Sequence, residues 1–123
     1  MLKVYYRSGC GSSRKFLCWA AQHNVSVAPR GVVSITREDM IHLLSLTTQG
    51  IKEVVKGRSS HNKEIMDKLQ FLDSLSFNEG VDYLLRNTYL LKTPIVLDRQ
   101  KLMIGYDREE IRQFLPRVYR RLR

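Results

Sequence analysis

The chain opens on a short run of apolar and aromatic positions, Leu2-Lys3-Val4-Tyr5-Tyr6, closed by Ser8-Gly9, and reads there as a strand. Behind the breaker the spacing changes. Phe16, Leu17, Cys18, Trp19, Ala20 and Ala21 predict a helix apolar on most sides, as a helix packed tightly on a sheet should be, with Ser12 or Ser13 as its cap and an end near His23-Asn24. Val25-Ser26-Val27-Ala28 alternates as a second strand, which Pro29 and Gly31 stop.

Helical periods fill the middle of the chain. Thr36 and Asp39 are spaced as a capping box ahead of Met40, Ile41, Leu43 and Leu44, and Gly50 breaks that run. Ile51, Val54 and Val55 form one short helical face, and Ile65, Met66, Leu69 and Leu72 form another. Ser76 with Glu79 is a second capping box, opening a helix through Val81 to Arg86. The last third returns to strands, Pro94 to Asp98 and Lys101 to Gly105, joined at Arg99-Gln100 as a hairpin. Asp107 and Glu110 then cap a final helix that turns Ile111, Phe114 and Leu115 inward before Pro116 limits it.

Strand, helix, strand, several helices, hairpin, helix is an α/β order, the thioredoxin-like plan with an inserted helical subdomain; the right-handed crossover of parallel strands leaves few alternatives. No repeat, low-complexity tract or long linker marks a second domain, and 123 residues suit one. The expected organisation is a single domain over 1–123. Its core comes from about 1–30 and 90–116, its helical insertion spans about 35–88, and a basic tail occupies 117–123.

Charge narrows the partners. The 21 Lys and Arg exceed the 12 Asp and Glu by nine, and residues 1–35 hold Lys3, Arg7, Arg14, Lys15 and Arg30 without an acid. That imbalance suits a negatively charged partner, nucleic acid or an acidic protein face, although solvated surface charge produces the same count. No stretch approaches the roughly 20 apolar residues of a membrane span and the N-terminus lacks an apolar signal core, so the expectation is a cytoplasmic protein without a membrane partner.

Two cysteines are present, Cys10 and Cys18. On one helix they stand about 12 Å apart along the axis, beyond disulfide reach. No CxxC pair exists and His23, His42 and His61 have no ligand spacing, so neither metal nor cofactor is expected. The acid pairs Glu38-Asp39 and Glu109-Glu110 belong to first helical turns, where the dipole favours them. Cys18, on the apolar helix, reads as core.

Cys10 is the candidate thiol. It ends the loop before the first helix, where backbone amides, the helix dipole and the nearby Arg14 and Lys15 all favour thiolate, the nucleophilic and oxidisable form. The alternative is a small buried apolar residue. A resolving cysteine would stand three positions on, where this chain has Ser13. Serine can hydrogen-bond the sulfur but cannot close a disulfide, which leaves a sulfenic acid, a mixed disulfide with another thiol, or no redox role.

Three stretches, VYYRSGCGSSRK, LTTQGIKEVVKGRS and TPIVLDRQKLMIGYDREEIRQFLPR, carry a likeness that runs over nearly the whole chain. Through them it resembles the Spx-type regulators of the arsenate-reductase-like (ArsC/Spx) family, with CxxS in place of CxxC. The resemblance implies a non-enzymatic transcription regulator of low-GC Gram-positive bacteria. Such a regulator binds the C-terminal domain of the RNA polymerase α subunit and redirects transcription in a thiol-redox stress response, meeting promoter DNA only indirectly or weakly. A monomer is expected. By position, the polymerase contact falls on Gly50 and its neighbours Thr47, Thr48, Gln49 and Ile51; without the resemblance, Gly50 reads as a helix C-cap. Arg58 corresponds to an arginine that arsenate-reducing relatives use on their oxyanion, or is a solvated charge. Pro94 corresponds to the cis proline facing the active cysteine, and Arg14 and Thr93 complete the anion-site candidates.

Three departures accompany the resemblance. Cys10-Gly11-Ser12-Ser13 lacks the second cysteine of the family switch, Thr93 stands where an arginine is expected, and Arg120-Arg121-Leu122-Arg123 stands where relatives present a small apolar extension to the ClpXP protease. The alternative activity is an arsenate or related thiol-dependent reductase with Cys10 as nucleophile and Arg58 on the oxyanion. Direct sequence-specific DNA binding has only charge behind it, with no helix-turn-helix or zinc module in view.

Overall fold

The computed structural model describes residues 1–57 and 62–115. The chain divides into two compact units, Met1–Val32 with Thr93–Arg123, and Val33–Lys92. The predicted α/β class with a thioredoxin-like sheet is what the first unit contains.

That unit holds β1 (Leu2–Tyr6), α1 (Gly11–Gln22), β2 (Val27–Gly31), β3 (Ile95–Leu97), β4 (Leu102–Ile104) and a 3₁₀ turn at Glu110–Phe114. The strands form one sheet in the order β2-β1-β3-β4, parallel between β1 and β2 and antiparallel elsewhere. Side-chain alternation sends Leu2 and Val4 of β1 to the face that also carries Val96 and Met103. There they pack with Phe16 and Ala20 of α1 and with Ile111 and Phe114 of the 3₁₀ turn. Phe16 meets Phe114 edge-to-face with ring centroids 6.3 Å apart, so the first helix and the end of the described chain close one core.

Four local expectations are corrected here. The second strand begins at Val27 and runs through Pro29, because Val25 is taken up by the end of α1. The Val25 amide bonds the Ala20 carbonyl at 2.9 Å and the Asn24 amide the Ala21 carbonyl at 3.4 Å, with Asn24 at φ 54°, a Schellman closure. Pro29 is tolerated because β2 is an edge strand and pairs only with β1. Next, Cys10 itself is the N-cap of α1, with no side-chain capping bond, so neither Ser12 nor Ser13 caps the helix.

The third correction is Cys18, which is exposed. The buried stripe of α1 runs Ser13, Phe16, Ala20, and Cys18 sits about 200° around the helix from Phe16 at 3.6 residues per turn. Last, the predicted final helix is the 3₁₀ turn alone. Asp107 Oδ1 accepts the Glu109 and Glu110 amides at 2.8 and 2.9 Å, and Lys101 Nζ donates to the Gln113 carbonyl at 2.8 Å, fixing this short piece to the hairpin. The hairpin turn is built the same way, with Asp98 Oδ1 accepting from the Gln100 and Lys101 amides.

The second unit holds α2 (Arg37–Ser45), α3 (Ile51–Val54), α4 (Lys63–Asp73), α5 (Phe77–Arg86) and a 3₁₀ turn at Thr88–Leu90. Thr36 Oγ1 accepts the Asp39 amide at 3.0 Å, Asn62 caps α4, and Ser76 with Glu79 forms the full reciprocal box predicted for α5. Both α2 and α4 pack on α5. Met40, Leu43, Val54, Leu69, Val81, Leu84 and Leu90 are buried. Gly80 within α5 is a socket: a Cβ there would stand 2.8 Å from Cδ1 of Ile51.

Candidate functional site

In the first unit β1 leads into a turn at Ser8-Gly9, with Gly9 at φ 79°, and the Cys10 amide bonds the Arg7 carbonyl at 3.1 Å. The Arg14 amide then takes the Cys10 carbonyl, which starts the helix and leaves the Cys10 side chain at its head. Cys10 is half-buried.

Thr93 lies opposite. Its hydroxyl donates to Cys10 Sγ at 3.1 Å, and the Thr93 carbonyl stands 3.7 Å from the same sulfur as an acceptor for the thiol proton. Both protonation states of Cys10 therefore have a partner. Ser13, buried in the first turn of α1, takes the Arg7 amide on its hydroxyl oxygen at 3.3 Å and turns its hydroxyl to the sulfur. The Thr93–Pro94 peptide bond is cis.

Burial pushes the Cys10 thiol up, but hydrogen bonds from the Ser13 hydroxyl, the Thr93 hydroxyl and the Ser13 and Ser12 amides outweigh it and lower the thiol to about 7. Near neutral pH a large share of Cys10 is thiolate. The cations expected to help contribute differently: Arg14 is exposed, Lys15 Nζ lies 5.9 Å from the centroid of the Tyr106 ring, and the leading favourable contributions are neutral donors. Sequence reasoning weighed Thr93 as an anion-site candidate standing where an arginine is expected, and its role as a donor to the sulfur was not visible from residues 83 positions apart.

The second unit presents the segment from Thr47 to Ile51. Helix α2 ends at Ser45 with Leu46 as its C-cap, so Gly50 is not the C-cap that the pattern alone suggested; it is the N-cap of α3. Gly50 has φ 71° and ψ −140°, a conformation that L side chains rarely adopt, and a Cβ there would meet nothing within 4 Å. Thr48 and Gln49 are exposed. Thr47 Oγ1 accepts the Gly50 amide at 3.0 Å and donates to the Leu44 carbonyl at 2.7 Å. Ile51, half-buried, fills the Gly80 socket. The loop is thus a shaped surface feature with a bare backbone at its end.

Arg58 lies outside the described residues, as do His61 and the tail arginines 117, 120, 121 and 123. Among the described residues no helix is long and apolar enough to cross a membrane, and no group of three His, Cys, Asp or Glu could hold a metal ion.

Comparison with known proteins adds family to geometry. The model of the ArsC family matches residues 5–114. The chain is 34% identical over 122 residues to Global transcriptional regulator Spx 2 of Bacillus cereus, covering 98% of this chain and 91% of that one. Among solved structures, an ArsC family related protein from Bacteroides fragilis superposes with a TM-score of 0.76 at 19% identity, covering 92% of this chain and 97% of the other. A protein described as a possible arsenate reductase from Streptococcus mutans gives 0.71 at 18% identity, with 86% and 91% covered. At those identities the structural likeness shows the fold alone.

Proposed function

We propose, from the premise that this chain belongs to the ArsC family, that it is a non-enzymatic transcription regulator that binds the C-terminal domain of the RNA polymerase α subunit. The observation that carries the reading is the 34% identity, along nearly the whole chain, to a relative named as a global transcriptional regulator. Its docking element is the loop at Gly50, with Thr47, Thr48, Gln49 and Ile51. A side-chain-free residue whose Cβ position is open lets a partner backbone approach closely, and the bonds of Thr47 hold that residue in place before the partner arrives. The protein works as a cytoplasmic monomer and meets promoter DNA only indirectly or weakly, through its basic surface.

Cys10 makes only a modest contribution to the oxidant response in this reading. With Ser13 in place of a second cysteine, oxidation gives a sulfenic acid or a mixed disulfide with an external thiol and cannot close a disulfide to position 13. Calorimetric titration into the isolated α domain, reduced and after peroxide treatment, tests the whole reading: a micromolar Kd, about −8 kcal/mol, supports it, and absent binding in both states removes it.

One observation favours a second reading, the lowering of Cys10 to about 7. A thiolate at a helix head can attack an oxyanion such as arsenate, with Arg58 as the anion-holding candidate and Arg14, Thr93 and Pro94 around the thiol. Thr93 brings a neutral hydroxyl where an arginine would serve such catalysis, and release of the reduced product would need an external thiol. Arsenate turnover with added thiol, abolished in Cys10→Ser, is the outcome that would install this reading in place of the first.

A further inference from the structure

We propose that Glu53 is a positioning residue for partner binding, its carboxylate holding the Thr47–Gly50 loop in the shape the polymerase domain meets; this rests on the docking reading above. One carboxylate oxygen of Glu53 accepts two hydrogen bonds from Thr48, from the amide at 3.3 Å and from the hydroxyl at 3.1 Å. The Glu53 amide in turn bonds the Gly50 carbonyl at 3.1 Å. On the other side the Thr47 amide bonds the Leu44 carbonyl at 3.2 Å, and the Thr47 hydroxyl takes the Gly50 amide.

The loop is therefore tied at both ends, to the last turn of α2 through Thr47 and to α3 through Glu53. Three of its amides are satisfied, that of Thr47 by the Leu44 carbonyl, that of Thr48 by the Glu53 carboxylate and that of Gly50 by the Thr47 hydroxyl. An exposed loop without such ties populates many conformations, and a partner selecting one of them loses affinity in proportion to its rarity. Glu53 needs no contact with the partner to matter. Removing its carboxylate frees the Thr48 amide and hydroxyl, while the backbone bond from the Glu53 amide to the Gly50 carbonyl stays.

The test compares the full chain with Glu53→Ala and Glu53→Gln, the second keeping an oxygen acceptor at the same reach. Two readouts are taken: Kd for the isolated α domain, and hydrogen exchange at the Thr48 amide in the free protein. Glu53→Ala should weaken binding about three- to tenfold, the loss expected when a few rotors must be ordered on association, while Glu53→Gln stays within about twofold. Thr48 exchange should rise in Glu53→Ala and stay near wild type in Glu53→Gln, with the melting temperatures of all three close together. Equal loss in both variants would mean that the charge itself meets the partner, and unchanged exchange or affinity in Glu53→Ala would mean that the tie is idle; each overturns the positioning role alone. A wild-type chain that does not bind overturns the docking reading, and the role of Glu53 with it.

Discussion

Replacing Gly50 separates two consequences of one backbone conformation. At φ 71° and ψ −140° any L side chain is strained, at a cost of about 1–3 kcal/mol. For a chain of this length that corresponds to a drop in Tm of roughly 4–12 °C, at about 4 °C per kcal/mol. The strain comes from the Cβ, so Gly50→Ala and Gly50→Arg should lose similar stability; the surrounding space, empty within 4 Å of the Cβ position, adds no clash in either. Binding should divide them: alanine adds a single methyl group to the approach of a partner backbone, whereas arginine fills it. Thermal melts and calorimetry on the same samples read both quantities. Gly50→Ala should keep affinity within several-fold, and Gly50→Arg should lose measurable binding. An Arg variant as stable as wild type would refute the strain argument, and one that binds like wild type would remove Gly50 from the interface.

Other perturbations test the thiol and the packing. Thr93→Val deletes one hydroxyl donor to Cys10 Sγ and should move the midpoint of iodoacetamide alkylation above about 7, read from rate against pH; an unmoved midpoint would show that Thr93 does not hold the thiolate. Because the folded thiol is lowered, its contribution to stability is fully present above the unfolded value and lost as pH falls through about 7. Wild-type stability should accordingly rise between pH 7 and 9, and Thr93→Val should flatten that rise in denaturant melts. Cys10→Ser should change the oxidant response of target transcription only modestly, since no internal disulfide at Cys10 is lost; complete loss of a strong response would make single-thiol modification the switch. Gly80→Ala gains about 1 kcal/mol of helix propensity against a 2.8 Å approach to Ile51 Cδ1, the movable end of its side chain, so stability should change little. Adding Ile51→Val removes that methyl group from the approach and should reveal the propensity gain as a higher Tm than Ile51→Val alone.

What the sequence conveyed followed the range of the forces involved. The Ser76-Glu79 box is contained in four residues and was found with both of its bonds, and β1 and the hairpin strands were found within a residue of their expected ends. The start of β2 was misplaced because a Schellman closure competes for Val25, a choice that depends on Asn24 accepting a positive φ. Cys18 was misread because a run of apolar letters hides which stripe of the helix faces the sheet. At the thiol, the position of Cys10 at a helix head was legible, but the donors that lower it were only half so. Ser13 is a neighbour, while Thr93 is brought in by pairing of β3 with β1, which no local pattern encodes. The Gly50 segment was singled out through resemblance alone; its tie to Glu53 and the seat of Ile51 at Gly80 depend on side chains meeting in three dimensions.

The central claim is that this chain docks on the polymerase α subunit, and titration of the reduced chain into the isolated α C-terminal domain meets it most directly. The account predicts one-to-one binding with a micromolar or tighter Kd, about −8 kcal/mol, lost in Gly50→Arg and largely kept in Gly50→Ala. No heat of binding for the reduced or the peroxide-treated protein, together with thiol-dependent arsenate turnover that vanishes in Cys10→Ser, would contradict it and make Cys10 the centre of the function.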